Sequence, residues 1–215
     1  MPESQRADPN AIGPRGISFA GCAESYVQGG ARDKELAFML ALTSGVNGAL
    51  LAKVASHFIV ARQFPRRADR AADFQPIVEP FRIAAEGLNE GNLVDRVEAF
   101  AGALRDLKVT KFNTRNGKYD LPISACSKFL WCARPEVSII FDRRARDCLS
   151  RLGHRVPAGS YADYVVAFEA EYRRREASIQ AAVPVMGLPE SARSWSGRKL
   201  LDFWLYANGT LPKAG

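Results

Sequence analysis

Between Ser127 and Arg146 the chain reads Ser-Lys-Phe-Leu-Trp-Cys-Ala-Arg-Pro-Glu-Val-Ser-Ile-Ile-Phe-Asp-Arg-Arg-Ala-Arg, and few local structures can accommodate that run. An apolar helix must stop ahead of Pro135, because the proline ring clashes with a continuing helix and pushes the residue before it out of the helical region. Val137 to Phe141 is β-branched and aromatic and too short for a helix of its own, so it reads as an extended link. Asp142 is then a natural N-cap for a second helix whose first turn carries Arg143, Arg144 and Arg146. A carboxylate at a helix start among guanidinium groups reads both as an ordinary cap and as a candidate chemical site.

With 215 residues, 47% of them hydrophobic, the chain can build one domain with a real core or two small lobes. Thirty Lys and Arg against 23 Asp and Glu leave a net charge of +7. The arginines cluster at Arg66, Arg67 and Arg70, at Arg143, Arg144 and Arg146, and at Arg173, Arg174 and Arg175. Such clusters attract polyanions and also occur as solvated helix faces. Cys22, Cys126, Cys132 and Cys148 form no CxxC pair, and with only His57 and His154 beside them no zinc-type ligand set is expected. Neither a metal nor another cofactor is predicted. No apolar run reaches the length of a membrane span and Met1 to Gly16 lacks an apolar signal core, so the expectation is a soluble, cytoplasmic protein with free buried thiols.

Prolines and glycines before residue 33 predict an irregular N-terminal arm over 1–32, with a short helix near Ile17 to Val27, ahead of a helical body over 33–215. Asp33 is expected to cap a helix through Leu36, Phe38, Met39, Leu40 and Leu42, broken at Gly45 and followed by a second through Leu50, Leu51, Val54, Phe58 and Ile59. Pro65 to Pro80 reads as a loop. Asn92 is expected to cap a helix through Leu93, Val97, Phe100, Leu104 and Leu107. Asn113 to Asp120, with Asn116-Gly117, reads as a turn-rich connector or a short hairpin. Ser160 with Asp163 opens a long helix through Val165, Val166, Phe168 and Tyr172, and a last helix runs from Ser196 to Asn208 with Asn208-Gly209 as its cap. The fold class is all-α with irregular connections.

In the order of these elements the chain resembles the helix-hairpin-helix DNA glycosylase superfamily, nearest to the 8-oxoguanine glycosylase branch. The resemblance rests on Leu121 to Leu152 and more weakly on Leu40 to Phe58. Leu121-Pro122 leads a helix, Pro135 stands in the turn, Ile139-Ile140-Phe141 leads to Asp142, and Arg143 to Leu152 resembles the basic helix that follows. Leu42 to Asn47 is similar to the helix start whose polar side chains probe the minor groove. Two features depart from the pattern. Ile123-Ser124-Ala125 replaces the hairpin glycines that let backbone amides approach a phosphate, and the position of the nucleophilic lysine falls near Ile123 or Ser124. Lys128 lies about one helical turn further on and reads either as a catalytic amine or as a phosphate or carboxylate partner.

The resemblance implies a compact monomeric domain containing a helix-hairpin-helix. It binds double-stranded DNA, extrudes a modified base and hydrolyses its N-glycosidic bond without a strong lyase step. Asp142 would stabilise positive charge on the sugar and assist attack by water. Asn47, Ser44, Arg66, Arg67, Ser124, Ser127, Arg143 and Arg144 are the candidate DNA contacts, and Trp131, Phe141, Trp195 and Trp204 the candidate base pocket. The identity of the base stays open, from oxidised guanine to the hypermodified bases of viral genomes, the latter fitting a role against phage. The alternatives are an inactive DNA-binding protein on the same scaffold and an unrelated helical adaptor.

Overall fold

Helix α7, Ile123–Ala133, is mostly apolar, and the fold covers it almost completely: Ile123 and every residue from Ala125 to Cys132 are buried, Ser127 and Lys128 among them. The computed structural model describes residues 12–64, 70–113, 118–119 and 121–209. The fold is all-α, with one two-stranded hairpin among the described residues. The chain separates into two units, residues 33–141 and residues 1–32 with 142–215.

The unit built on 33–141 assembles most of helix α2 (Ala31–Ser44) with α3 (Gly48–His57), α4 (Arg70–Phe74), α5 (Val78–Ala85), α6 (Leu93–Asp106) and α7. Phe129 of α7 is its hub, meeting the rings of Phe64, Phe74 and Phe100 at 6.3, 6.4 and 6.3 Å between centroids. Helices α3 and α4 approach so closely that a Cβ on Gly48 would stand 2.3 Å from the Ala71 carbonyl oxygen, so only glycine fits there. The segment expected as a loop, Pro65 to Pro80, contains α4, a 3-10 turn and the start of α5. Pro76 and Pro80 fall in first turns, where no intrahelical N–H bond is lost, and Phe74, Ile77 and Phe81 supply the apolar anchors.

Two caps differ from expectation. Asp33 lies inside the first turn of α2, which starts at Ala31, and Glu35 is the fully buried residue of that helix while Leu40 is 70% exposed. The Asn92 side chain turns back to accept the Asn89 N–H at 2.9 Å, and Asn89 caps the preceding 3-10 turn, so a capping box precedes α6 in place of a cap on it. The connector forms the hairpin: β1 (Phe112–Asn113) pairs antiparallel with β2 (Lys118–Tyr119), Phe112 opposite Tyr119. Asn116-Gly117 lies outside the described residues.

The other unit assembles α1 (Phe19–Gln28), α8 (Arg143–Arg151), α9 (Tyr161–Ala182) and α10 (Arg193–Asn208). From residue 12 onward the expected arm is an integral part of it. Phe19, Cys22, Ala23 and Tyr26 are buried, and the Phe19 ring stacks on Trp204 at 4.8 Å. Asn208 holds the lead-in by donating to the Ile17 carbonyl and accepting the Arg15 N–H, at 3.2 and 3.1 Å. Gly209 is extended rather than left-handed; its small size matters because a Cβ would stand 2.1 Å from the Arg144 carbonyl oxygen. Ser160 caps α9 as expected, accepting the Asp163 N–H. The buried stripe of α9 runs through Tyr161, Tyr164, Phe168, Glu171 and Arg175, and Val166 faces outward.

Glu171 is a buried acid of this unit. It accepts from Arg175 Nε at 2.6 Å, pairs with His154 Nε2 at 2.8 Å and meets Arg174 at 3.5 Å, while the Arg175 guanidinium lies 4.5 Å from the Trp204 ring centre. Burial alone pushes its carboxyl up, but the hydrogen bonds from His154 and Arg175 and the Arg175 charge outweigh it, leaving the group below its ordinary value. Because the folded value is depressed, the resulting stability is present above the unfolded value of about 4.3 and is lost as pH falls through the lower folded value. Glu171→Gln is therefore expected to lower the thermal midpoint at neutral pH, with the gap to wild type closing below about pH 4; midpoints measured from pH 7 to pH 3 test this.

Candidate functional site

Helix α7 ends where Pro135 requires it: the Arg134 N–H makes the last helical bond, to Leu130 O at 2.8 Å, and the Ser138 N–H returns to Arg134 O at 3.0 Å to close one turn. Ile139, Ile140 and Phe141 then run extended and buried. Ser127 pins them, its hydroxyl accepting the Phe141 N–H at 3.0 Å and donating to Ser124 O at 3.2 Å. At Asp142, with φ −133° and ψ 139°, the side chain accepts the Arg144 N–H at 2.8 Å and the carbonyl accepts the Arg146 N–H at 2.9 Å. The expected cap is formed, on a half-buried carboxylate at the positive end of α8.

The three arginines of that turn are in different situations. Arg143 is exposed. Arg144 lays its guanidinium 4.0 Å above the Tyr206 ring centre, and Arg146 pairs with Asp147 at 2.9 Å. Beside Asp142 stands a buried polar group that the sequence reading did not single out, formed by Tyr161, Tyr164, Lys199 and Asp202. Lys199 Nζ lies 3.4 Å from Asp202 Oδ2. Burial first, then the carboxylates of Asp202 and Asp142 and the Tyr161 phenol, push the Tyr164 hydroxyl well above its usual range, so it remains protonated. The signal for this group was present in the sequence as an opposite-charge pair three residues apart inside the apolar run Leu200, Leu201, Trp204 and Leu205.

In the unit of residues 33–141, Lys128 is 5% exposed and donates to Ser124 Oγ at 3.2 Å, one turn back on α7. Ser124 is half-buried. Asn47 is exposed and caps α3, accepting the Leu50 N–H at 2.9 Å, and exposed Ser44 donates to Leu40 O at 3.3 Å. Ala133, Arg134, Phe81 and Arg82 face Thr43 and Gly45 across a cleft of about 460 Å³. Arg66 and Arg67 lie outside the described residues.

Some expectations need correction. Ser127 is fully buried with its hydroxyl engaged on both sides, so it is a structural pin and not a DNA contact. Trp204 is core, stacked between Phe19 and Arg175. Trp131, Phe141 and Trp195 are also buried; Trp131 meets Phe58 edge-on at 6.1 Å. All four cysteines are buried outside any disulfide, and burial pushes the Cys22 and Cys148 thiols up to about 12. Among the described residues no cluster of His, Cys, Asp and Glu could hold a metal ion, and no helix is long and apolar enough to cross a membrane.

No family model, no curated protein and no solved structure matches this chain. The site therefore stands on its own geometry: a capped carboxylate preceded by a buried extended link. Ser127→Ala would strand the buried Phe141 N–H and is expected to cost about 1–3 kcal/mol; chemical denaturation of the variant beside wild type measures it.

Proposed function

We propose that this protein is a DNA glycosylase that extrudes a modified base from duplex DNA and hydrolyses its N-glycosidic bond. The observation that carries the reading is Asp142, a half-buried carboxylate held at the N-terminus of α8 by the Arg144 N–H, with exposed Arg143 beside it. Such a carboxylate suits a reaction in which positive charge builds on a sugar as its bond to the base breaks. Fixed by its cap, it needs no reorientation as that charge develops, and it can orient or deprotonate the attacking water. Arg143 and the net charge of +7 supply attraction for the phosphates, which is needed because unstacking a base costs free energy that backbone contacts must offset.

In this reading Lys128 is not the nucleophile. Its ammonium is buried on α7 and bonded to Ser124, an arrangement that suits a structural role, and water serves as the attacking group.

The test is a panel of duplex oligonucleotides carrying oxidised, alkylated, deaminated or hypermodified bases, read by abasic-site formation. Wild type is expected to release at least one of these bases, and Asp142→Asn to do so about 100-fold or more slowly with duplex affinity retained. Borohydride is expected to trap no covalent adduct, whereas an adduct lost in Lys128→Gln would establish an amine nucleophile. Binding without release of any base would favour the inactive DNA-binding alternative, and no binding at low salt the helical adaptor.

A further inference from the structure

Two helix ends in the unit of residues 33–141 break the same rule. Helix α3 closes with the Ile59 N–H donating to Ser56 O at 3.2 Å and the Val60 N–H to Ala55 O at 2.9 Å. Helix α6 closes in the same way, the Lys108 N–H donating to Arg105 O at 2.9 Å and the Val109 N–H to Leu104 O at 3.3 Å. Both are Schellman turns, which place one residue in the left-handed region, where glycine predominates. Here those positions hold Ile59 at φ 57° and Lys108 at φ 54°, the two non-glycine residues with positive φ among those described. A β-branched residue in that conformation is strained.

Packing does not account for Ile59, because 64% of it is exposed. Its surroundings suggest another role. The Lys111 N–H donates to Gln63 O at 3.0 Å, tying the turn after α3 to the turn after α6. Arg62, Lys108 and Lys111 on these turns are all exposed, and Leu107 is 49% exposed. Neither 57–64 nor 107–113 contains an acidic residue. One corner thus ties a strained turn carrying exposed Ile59 and Arg62 to a second turn carrying exposed Lys108 and Lys111. A cation at a helix C-terminus also favours the helix dipole, which accounts in part for Lys108 but not for Ile59.

We infer that this corner is a contact surface for duplex DNA, with Arg62, Lys108 and Lys111 on phosphates and Ile59 inserted as an apolar wedge at a base step. It rests on the DNA reading above and adds to it residues of the unit of residues 33–141. Proteins that kink DNA pair cations on the backbone with an apolar side chain pressed between bases, and the corner offers both. The left-handed turn holds the isoleucine outward, where a relaxed glycine turn would offer no side chain at all.

Fluorescence anisotropy of a labelled, unmodified duplex across a salt series tests this, with thermal midpoints recorded for each protein. Ile59→Gly and Ile59→Asn, both compatible with the left-handed region, are expected to weaken binding about tenfold, the value of burying one isoleucine. Ile59→Gly is expected at the same time to raise the midpoint by about 2–4 °C through relief of strain. The double variant Lys108→Gln, Lys111→Gln is expected to reduce the slope of log affinity against log salt by about two. If wild type binds and these variants bind equally well with unchanged slope, the surface assignment is overturned, while base release that depends on Asp142 leaves the glycosylase reading standing. If wild type binds no duplex at low salt, both fall together.

Discussion

The hydrogen bond from the Phe141 N–H to the Ser127 hydroxyl is the contact on which the functional segment depends. Helix α7 is covered on every side, so any backbone amide lying against it must find a partner there or carry the full cost of desolvation. Ser127 provides that partner. With it, Ile139, Ile140 and Phe141 can be buried as an extended link rather than continuing as helix or looping into solvent. Asp142 follows at once and starts α8 through its own side chain. A serine on one helix and an aspartate at the start of the next therefore define the two ends of a three-residue apolar link, and the candidate carboxylate owes its fixed conformation to ordinary cap chemistry.

Buried charge has a different use in the unit of residues 1–32 and 142–215. Glu171 with Arg175 and His154, and Lys199 with Asp202, are pairs that a well-packed apolar core could replace without loss of stability, since desolvation offsets most of what the partners gain from each other. Breaking either pair is costly all the same, because one charge would be left buried. Such pairs fix arrangement. His154 follows the left-handed Gly153 at the end of α8, and its bond to Glu171 ties that turn to α9. The Lys199–Asp202 pair and protonated Tyr164 place a second buried polar group in this unit, near enough to Asp142 for its carboxylate to act on the Tyr164 hydroxyl.

Much of this was readable from the chain alone. Helices were legible wherever apolar residues recur at helical spacing, and the caps at Asp142 and Ser160 were legible because a short polar side chain at a helix start has few other reasons to be there. Where two polar residues competed for one job, as Asn89 and Asn92 do, spacing could not choose between them. The prolines of 65–80 suggested a loop because their tolerance in a first turn depends on where the helix starts, which the sequence does not state. Burial was the least legible property. Ser127 was expected as a DNA contact from the resemblance, and only the fold shows its hydroxyl accepting the Phe141 N–H. The polar group of Tyr164, Lys199 and Asp202 was missed because Tyr164 lies on α9, far along the chain from the Lys199–Asp202 pair of α10, and joins it only once the two helices pack.

Where local rules are kept and where they are broken sorts the remaining residues. Asn47, Ser160 and Asp142 do what their side chains do best, so stability alone suffices to explain their presence, and chemistry at Asp142 would be additional to capping. Ile59 and Lys108 are the reverse case: each occupies a position at which glycine would be less strained, and neither recovers that cost by being buried. Arg144 falls between the two, its Nε buried without a hydrogen-bond partner among the described residues while its guanidinium face rests on Tyr206. A sequence that specifies its fold consistently elsewhere tolerates such departures mainly where a surface or a site requires them. The two kinds of residue call for opposite experiments. A residue that obeys its local rule reveals a second role only when a substitution keeps the fold and removes the chemistry. A residue that breaks the rule reveals its role when a substitution improves the fold and loses the function.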